Sequence, residues 1–340
     1  MPYTAIALSG GIDSLAAAWV LKKKGHRLLG IHFTTGYEEL STEQVLNISS
    51  QLNIPVKIID CSKEFKNLVI DYFIKTYKSG KTPNPCLICN PCIKFGTIID
   101  FAHNMNAASM ATGHYARVFK DTNDCYHLLK GKDLTKDQSY FLAFMTQNQL
   151  ASACFPLGEF TKHEVRKLAQ NAGLNPVVEK ESQDICFIKG NYKDFLFKHG
   201  NLNQKPGVIE DIKGNTVGTH KGLHLFTIGQ RRGINCPASE PYYVVRIDVK
   251  TNRLIVGFKD DLLASQCFVK NINWIVPPEK TPMSVHVRLR YRHKAVLAVI
   301  FNKNANTARI EFDSPQSAIT PGQGAVFYKK DEVLGGGWIC

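Results

Sequence analysis

The stretch Tyr3-Thr4-Ala5-Ile6-Ala7-Leu8-Ser9-Gly10-Gly11-Ile12-Asp13-Ser14 decides the fold of this chain. Its first part is mostly apolar and predicts a buried strand, and Leu15–Lys24 then predicts a helix. The glycines between them let the backbone approach phosphate oxygens, and the helix N-terminus offers N–H donors at the positive end of its dipole. Asp13 can either hold a magnesium ion or orient the loop. Because no Gly-Lys-Ser/Thr follows, the stretch predicts a phosphate-binding loop that is not a Walker loop.

Strands and helices alternate over the first 200 residues. Strands are predicted at Tyr3–Leu8, Leu28–Phe33, Val56–Asp60 and Ser109–Thr112, and further helices at Thr42–Leu52, Glu64–Lys78 and Ile93–Asn106. Such alternation is typical of an α/β domain with a parallel sheet and helices on both faces. A capping box, Thr161-Lys162-His163-Glu164, predicts one more helix start.

After Lys205-Pro206-Gly207 the helical patterns fade. Short strands separated by Gly, Pro, Asn and Asp follow, and this texture predicts β-barrels or small sheets. They are predicted at Tyr242–Ile247, Leu254–Gly257, Val285–Tyr291, Ala295–Phe301 and Thr307–Phe312. We therefore expect an α/β domain at residues 1–205, a central β-rich domain at 206–264 and a C-terminal β-barrel domain at 265–340.

The chain is basic, with 42 Lys and Arg against 29 Asp and Glu and a net charge of +13. The excess lies on both sides of residue 205, so it indicates either a polyanionic partner or a basic surface that maintains solubility. The start, Met1–Thr4, lacks the charged and apolar regions of a signal peptide, and no stretch is long enough to span a membrane. These observations predict a cytoplasmic protein that does not enter a membrane.

Cysteines cluster in the Pro-rich segment Thr82-Pro83-Asn84-Pro85-Cys86-Leu87-Ile88-Cys89-Asn90-Pro91-Cys92, and a further one, Cys186, follows later. A helix predicted just after the segment would lower the pKa of these thiols. A zinc knuckle would need a second Cys-x-x-Cys pair, which the chain lacks. A redox or persulfide pair, an iron–sulfur cluster with three cysteine ligands, or simple burial of small apolar side chains stay open.

Together these motifs give a specific resemblance. The chain resembles the tRNA-specific 2-thiouridylases, which belong to the PP-loop ATP pyrophosphatase superfamily and replace oxygen by sulfur at C2 of the wobble uridine. The similar blocks run nearly end to end: Ser9–Ser14, Thr82–Pro85 with Cys89-Asn90 and Ile93-Lys94-Phe95, Ala111–Arg117, Lys136–Leu142, Ile185–Ile188, Phe226–Gly233, Thr320–Gln323 and Gly335–Ile339.

The resemblance implies roles for individual residues. It implies that ATP, with Mg²⁺, binds at Ala7, Leu8, Ser9, Gly10, Gly11, Ile12, Asp13, Ser14, Phe33 and Gly113. It implies catalytic roles for Cys89, for the sulfur-carrying Cys186 and for Asp13. It implies tRNA contacts at Asn84, Pro85, His114, Lys136, Asp137, Gln138, Arg290, Tyr291 and Gln323. Lys and Arg side chains suit phosphates, and a tyrosine can stack on a base.

One position departs from the family, which usually has Asp where this chain has Cys86. The resulting Cys-x-x-Cys pair plus a distant cysteine is similar to tRNA-thiolating enzymes of the superfamily that hold a 4Fe-4S cluster. We therefore expect Cys86, Cys89 and Cys186 to hold such a cluster, with Cys92 as a bystander or substitute ligand. The alternative is a Cys186 persulfide resolved by Cys89 without a cluster.

Two other classes of protein compete with this interpretation. A PP-loop ligase acting on a small nucleotide would share the phosphate loop but would not use the cysteines or the basic β-rich domains. A non-catalytic RNA-binding protein would explain the charge but would not need an intact loop. The expected partners are tRNA and a sulfur donor, either a protein persulfide or inorganic sulfide. The protein is expected to be a monomer or a homodimer.

Overall fold

The computed structural model describes residues 3–37, 40–178, 185–200, 202, 205–278 and 280–340. The helices there are α1 (Ile12–Lys23), α2 (Thr42–Leu52), α3 (Ser62–Phe65), α4 (Asp71–Lys78), α5 (Cys86–Cys89), α6 (Ile98–Asn104), α7 (Gln147–Ser152), α8 (Lys162–Asn171) and α9 (Tyr192–Gly200). Strands of the first half are β1 (Tyr3–Ala7), β2 (Leu28–Thr34), β3 (Val56–Asp60), β4 (Ala107–Ala111), β5 (Ala116–Lys120), β6 (Tyr126–Lys130) and β7 (Ala153–Cys154). Those of the second half are β8 (Gly207–Asp211), β9 (Thr216–His220), β10 (Tyr243–Asp248), β11 (Arg253–Gly257), β12 (Leu263–Trp274), β13 (Met283–Arg288), β14 (Val296–Asn304), β15 (Thr307–Ser317), β16 (Gly324–Lys329) and β17 (Glu332–Ile339).

A five-stranded parallel sheet with the order β3-β2-β1-β4-β7 forms the centre of the first unit. The middle strand, β1, is almost completely buried because helices cover both faces. On α1, the fully buried run Ala16–Ala18 lets the helix pack closely against the sheet. The predicted α/β fold with a parallel sheet is therefore confirmed. Since all five strands run the same way, the loops that follow them meet at one edge of the sheet.

Two predicted helices are interrupted. The helix predicted at Glu64–Lys78 is α3 and α4 joined by a π-helical turn at Lys66–Ile70. The one predicted at Ile93–Asn106 begins as the π-helical segment Asn90–Thr97 and continues as α6. Such wide turns are rare and occur often at functional sites. The second of them follows directly on the cysteine segment.

The predicted capping box is confirmed at the start of α8. The Thr161 side chain accepts a hydrogen bond from the backbone N–H of Glu164, and the Glu164 side chain accepts one from the N–H of Thr161. This reciprocal pair fixes the first turn of the helix. Lys162, the residue after Thr161, is thereby positioned with its side chain towards the phosphate loop.

The second half is rich in strands, as predicted, and forms two separate sheets. Four strands, in the order β10-β11-β8-β9, form a small sheet around the core residues Ile209, Val244 and Leu254. Strands β12 to β17 form a closed six-stranded barrel, since β12 pairs with both β15 and β17. Its interior is filled by alternating apolar side chains such as Val285, Val287 and Ile310.

The hairpin of β5 and β6 belongs to the first half of the chain yet adds to the sheet of the barrel. Leu128 and Leu129 of β6 pair with Val333 and Glu332 of β17. No local sequence pattern predicts this pairing, because it joins strands that are distant in the chain. The hairpin therefore couples the nucleotide-binding unit to the barrel through backbone hydrogen bonds.

The predicted strand Val285–Tyr291 is too long, because β13 ends at Arg288. The chain turns after this residue, so Arg288, Arg290 and Arg292 do not line one face of a strand. No helix among the described residues combines the length and apolar character that a membrane span needs.

Candidate nucleotide and thiol site

The phosphate loop lies between the end of β1 and the start of α1. Gly10 has a φ of +79°, and a Cβ atom there would lie 2.6 Å from Cγ2 of Val177, so only glycine fits. The carbonyl of Gly10 accepts hydrogen bonds from the N–H groups of Val177 and Val178. The hydroxyl of Ser14 donates to the carbonyl of Gly11 at 2.8 Å. The loop is thus held open at the N-terminus of α1, the arrangement that binds phosphates.

Asp13 is bound by two side chains that the sequence did not single out. Nζ of Lys162 lies 2.8 Å from both carboxylate oxygens, and the hydroxyl of Tyr115 donates to Oδ1 at 2.7 Å. The Lys162 side chain is 8% exposed and that of Asp13 is 32% exposed, so the pair is partly shielded from water. The carboxylate orients the loop by joining α1 to α8 and to the segment after β4.

Two more predicted nucleotide contacts lie at the same edge of the sheet. Phe33 is two residues beyond Ile31, which pairs with the last residue of β1, and it is partly exposed. Gly113 follows β4 and packs against the loop. A Cβ atom on Gly113 would come 3.0 Å from the carbonyl carbon of Asp13, so its backbone fits closely behind the phosphate site.

His114 is buried beside the loop. Its Nδ1 lies 2.7 Å from Oγ1 of Thr112. Burial lowers the pKa of His114 well below its usual value, and the nearby Lys94 charge lowers it further. The imidazole is therefore neutral at physiological pH. A charged contact between His114 and a phosphate is not available in this state.

Cys86 and Cys89 occupy the first and last positions of α5, one helical turn apart and on the same side. Burial raises the pKa of Cys86 to about 11, and the charge of Cys186 contributes to the rise. Burial raises the pKa of Cys89 to about 12, with Cys186, Cys86 and Cys92 contributing, while Lys94 lowers it. The expected lowering of these pKa values by a helix N-terminus is therefore wrong. A helix of four residues has little dipole, and burial dominates.

Cys186 comes from a distant part of the chain, and its charge raises the pKa values of the half-buried thiols Cys86 and Cys89. Its neighbours Ile185 and Phe187 belong to the same hydrophobic cluster as Cys89. Cys186 is itself exposed. The preceding part of its motif, residues 181–184, lies outside the described residues. The three sulfur atoms do not all lie within 4.8 Å of one another, so three thiols of this kind suit a larger sulfur-rich group or a transfer of sulfur between cysteines better than a single metal ion.

Lys94 acts electrostatically on both the thiols and a residue beside the nucleotide loop. It follows the cysteine segment and lies in the π-helical turn. Its charge lowers the pKa values of Cys86, Cys89 and His114. The sequence pattern marks this residue only within the block Ile93-Lys94-Phe95, although a lysine next to a cysteine cluster is a signal for such a role.

The loop Thr82–Pro85 is fixed by the C-terminal barrel. Nε2 of Gln323 donates to the carbonyls of Thr82 and Pro83 at 3.1 and 3.0 Å. The N–H of Thr82 donates to the carbonyl of Pro321, and that of Asn84 to the hydroxyl of Tyr72. Gln323 is buried, so its side chain positions this loop.

Several other residues expected to contact tRNA are also used inside the protein. Asp137 is 3% exposed, accepts the N–H groups of Gly131 and Ser139, and pairs with Arg288 at 3.2 Å. Oε1 of Gln138 accepts the N–H of Tyr115. Arg290 donates to carbonyls of Ile228 and Ala318 and to the hydroxyl of Thr320, and so ties the small sheet's segment to the barrel.

Five of the expected contacts are partly exposed: Asn84, Lys136, Gln138, Arg290 and Tyr291. The ring of Tyr291 packs on Phe141 with centroids 4.2 Å apart, and the Arg288 guanidinium lies 5.3 Å from its centre. Burial raises the pKa of Tyr291, and the Cys86 charge adds to this rise. The aromatic surface of the barrel therefore adjoins the thiols.

Comparison with known proteins covers the whole chain. Residues 3–190 match the tRNA methyl transferase HUP domain family, residues 193–258 the tRNA methyl transferase PRC-barrel domain, and residues 264–339 the aminomethyltransferase β-barrel domain. A protein of Desulfosudis oleivorans described as tRNA-specific 2-thiouridylase MnmA is 49% identical over 99% of this chain and 95% of its own length.

Other proteins with the same description agree. The one of Geotalea uraniireducens is 40% identical over 98% of this chain and 94% of its own length. The one of Synechocystis is 41% identical over 98% of this chain and 96% of its own length. With a nucleotide loop, a thiol site and two β-rich units in the same order, the chain belongs to the tRNA-specific 2-thiouridylase family.

Proposed function

We propose that this protein synthesises 2-thiouridine in tRNA, using ATP to activate C2 of the wobble uridine before sulfur replaces the oxygen. One observation carries the proposal: Ala7, at the end of the strand that leads into the phosphate loop, shares a hydrophobic cluster with Leu87 of the cysteine segment and with Phe187, the neighbour of Cys186. A small-nucleotide ligase would have no use for these thiols. A binding protein would not need the phosphate loop.

The first step activates the base. The C2 oxygen of the uridine attacks the α-phosphorus of ATP, and the N3 proton is released to solvent. The bond between the α-phosphorus and the oxygen bridging to the β-phosphate breaks, and pyrophosphate leaves with that oxygen. Backbone N–H groups of the loop and the hydroxyls of Ser9 and Ser14 stabilise the charge that develops on the phosphates. Mg²⁺ accompanies the phosphates of ATP. Asp13, held by Lys162, keeps the loop in place. The oxygen at C2 becomes part of AMP, a good leaving group.

The second step delivers sulfur. In the cysteine route, a donor loads Cys186 as a persulfide, which its exposure permits. The terminal sulfur attacks C2 and AMP leaves with the oxygen. The Cys89 thiolate then attacks Sγ of Cys186, the S–S bond breaks towards the base, and the thiocarbonyl forms. The resulting Cys89–Cys186 disulfide is reduced by an external thiol before the next turnover.

We also propose that Cys86, Cys89 and Cys186 hold a 4Fe-4S cluster with one iron free of a protein ligand. Their donor chemistry supports this, since the chain offers three thiols from two distant segments, the ligand set of a cluster with one open iron. When bound, such a cluster would supply an open iron that binds hydrosulfide. Cys92 acts on Cys89 electrostatically and is half-buried, so it is the substitute ligand to test.

We propose that the target base is splayed out of the anticodon loop and enters between Asn84, on the Pro-rich loop, and the ring of Tyr291. Lys136 is partly exposed, and its charge suits a backbone phosphate. In this arrangement Asp137, Gln138, Arg290 and Gln323 support the tRNA surface from behind.

Unmodified tRNA transcript, ATP and a thiol reductant test the function directly, with a protein persulfide as the sulfur source for the cysteine route and inorganic sulfide for the cluster route. After digestion, mass spectrometry should find 2-thiouridine, and pyrophosphate release should require the tRNA. Cys89→Ser should abolish thiolation, whereas Cys154→Ser, a matched half-buried thiol on β7, should not. Pyrophosphate release driven by a small nucleotide without RNA would contradict the proposal, as would thiolation by Cys89→Ser at the wild-type rate.

Anaerobic purification tests the cluster separately. If the cluster is present, the protein should be brown and contain about four iron and four sulfide ions per chain. Cys86→Ser should contain less of both. A colourless, iron-free protein that thiolates tRNA at the same rate would refute the cluster and leave the cysteine route.

A further inference from the structure

A second group of metal-binding side chains lies at the turn of the β5–β6 hairpin. Asp121 follows β5, Cys125 precedes β6, and His127 lies on β6. One ligand atom from each of the three, a carboxylate oxygen, a thiol and an imidazole nitrogen, lies within 4.8 Å of the other two. Among the described residues this is the only such group, and it lies outside the nucleotide and thiol site.

The histidine ring is oriented by carboxylates on both sides. Its Nδ1 lies 2.6 Å from Oε1 of Glu332, and its Nε2 lies 3.1 Å from Oδ2 of Asp121. Metal-bound histidines commonly donate their second N–H to a carboxylate, which fixes the ring and raises the basicity of the ligating nitrogen. Glu332 occupies that position for His127, so Nε2 is directed towards Asp121 and Cys125.

The surrounding structure holds these groups in place. Oδ1 of Asp121 accepts hydrogen bonds from the N–H groups of Asn123 and Cys125, which leaves Oδ2 to bind a metal ion. The ring of Phe119 stacks on His127 with centroids 4.7 Å apart and planes 11° from parallel. The His127 side chain is 15% exposed and that of Asp121 27%, so the site is shielded but open to an ion from solvent.

We propose that Asp121, Cys125 and His127 bind a zinc ion, with Glu332 as the outer partner of His127 and water as the fourth ligand. A set of one sulfur, one nitrogen and one oxygen suits Zn²⁺ better than the hard cations Mg²⁺ or Ca²⁺. Because Glu332, the first residue of β17, bonds to His127, the ion would hold the His127 ring in the orientation that links the hairpin to the barrel. Its role is to fix the junction between the two halves of the protein.

Cobalt substitution tests the site in the full-length protein. After chelation and dialysis, Co²⁺ titration should give one tightly bound ion with a thiolate-to-cobalt absorption band. This signal should persist in Cys86→Ser/Cys89→Ser and in Cys154→Ser and should disappear in Cys125→Ser. Competition with Zn²⁺ should show about 10–100-fold weaker binding in Glu332→Gln.

The alternative is a protonated His127 that bridges two carboxylates with no metal. In that case Co²⁺ binding would be the same in wild type and Cys125→Ser, and Zn²⁺ would not raise the melting temperature of either protein. That result would overturn the proposal. Since Cys125→Ser changes one atom at a half-buried turn, it is expected to fold, and its circular dichroism spectrum provides the check.

Discussion

Lys162→Met removes the cation that holds Asp13 in the phosphate loop. Lys162 is the first residue of α8, directly after its Thr161 N-cap, and its amino group binds both oxygens of Asp13 at 2.8 Å. Methionine keeps much of the stem's apolar volume. The substitution therefore leaves the helix and its capping box intact and deletes one ion pair.

The size of the effect follows from the exposure of the pair. Breaking a fully buried pair costs about 3–5 kcal/mol because a charge is left without its partner. Asp13 keeps its hydrogen bond from Tyr115 and is 32% exposed, so water takes over part of the interaction. We expect a loss of about 1–3 kcal/mol in the free energy of unfolding, or a melting temperature lower by about 2–10 °C. The Michaelis constant for ATP should rise, since an unpaired carboxylate then faces the phosphates.

The matched control is Lys132→Met, which breaks an ion pair with Glu164 on the same helix. Its two side chains are 48% and 46% exposed, so we expect a cost of about 0.5 kcal/mol or less. Thermal unfolding and steady-state kinetics of both variants provide the comparison. If Lys162→Met melts at the same temperature as Lys132→Met and has an unchanged Michaelis constant for ATP, the role assigned to the pair is wrong.

Three further predictions concern the same site. Gly113→Ala should lower the activity at least tenfold, because the added Cβ would lie only 3.0 Å from the carbonyl carbon of Asp13 in the phosphate loop. The control, Gly11→Ala, should keep the melting temperature and weaken only ATP binding, since its Cβ would come no closer than 3.7 Å to other protein atoms. Gln323→Leu should cost about 1–3 kcal/mol and lower thiolation, because two buried carbonyls lose their donor; urea unfolding should show it, and an unchanged midpoint would contradict it. Burial and then Lys94 lower the pKa of His114, so below about pH 6.5 the unfolded chain takes up a proton that the folded protein does not, and stability falls as the pH falls. Between pH 7 and pH 5 this residue should account for up to about 2 kcal/mol of that loss, and unfolding of His114→Gln at both pH values should show a correspondingly smaller drop; an equal drop in both proteins would exclude the effect.

Local patterns predicted the local structure. The apolar run before Gly10 and the capping box at Thr161 specify their elements through neighbours in sequence, and both are found as expected. The cysteine segment was recognised for the same reason. The pKa values of its thiols could not be predicted, because burial depends on packing against distant parts of the chain. Burial outweighs the dipole of a four-residue helix.

Contacts between distant residues could not be predicted. Lys162 and Asp13 are 149 residues apart, and Gln323 is 241 residues from Thr82. Nothing in the periodicity of either segment indicates its partner. The tRNA contacts at Gln323 and Arg290 are implied by the family resemblance alone, and the structure adds that both side chains bond protein carbonyls.

The pairing of β6 with β17 has a consequence for synthesis of the chain. The two paired segments are separated by roughly 200 residues, which a ribosome adds in about 10–40 s. Until then the edge of β6 is unpaired, and exposed strand edges invite association with other chains. We therefore expect a chaperone to bind the β5–β6 hairpin of the nascent chain. The final assembly of the enzyme waits for one of its last strands to emerge.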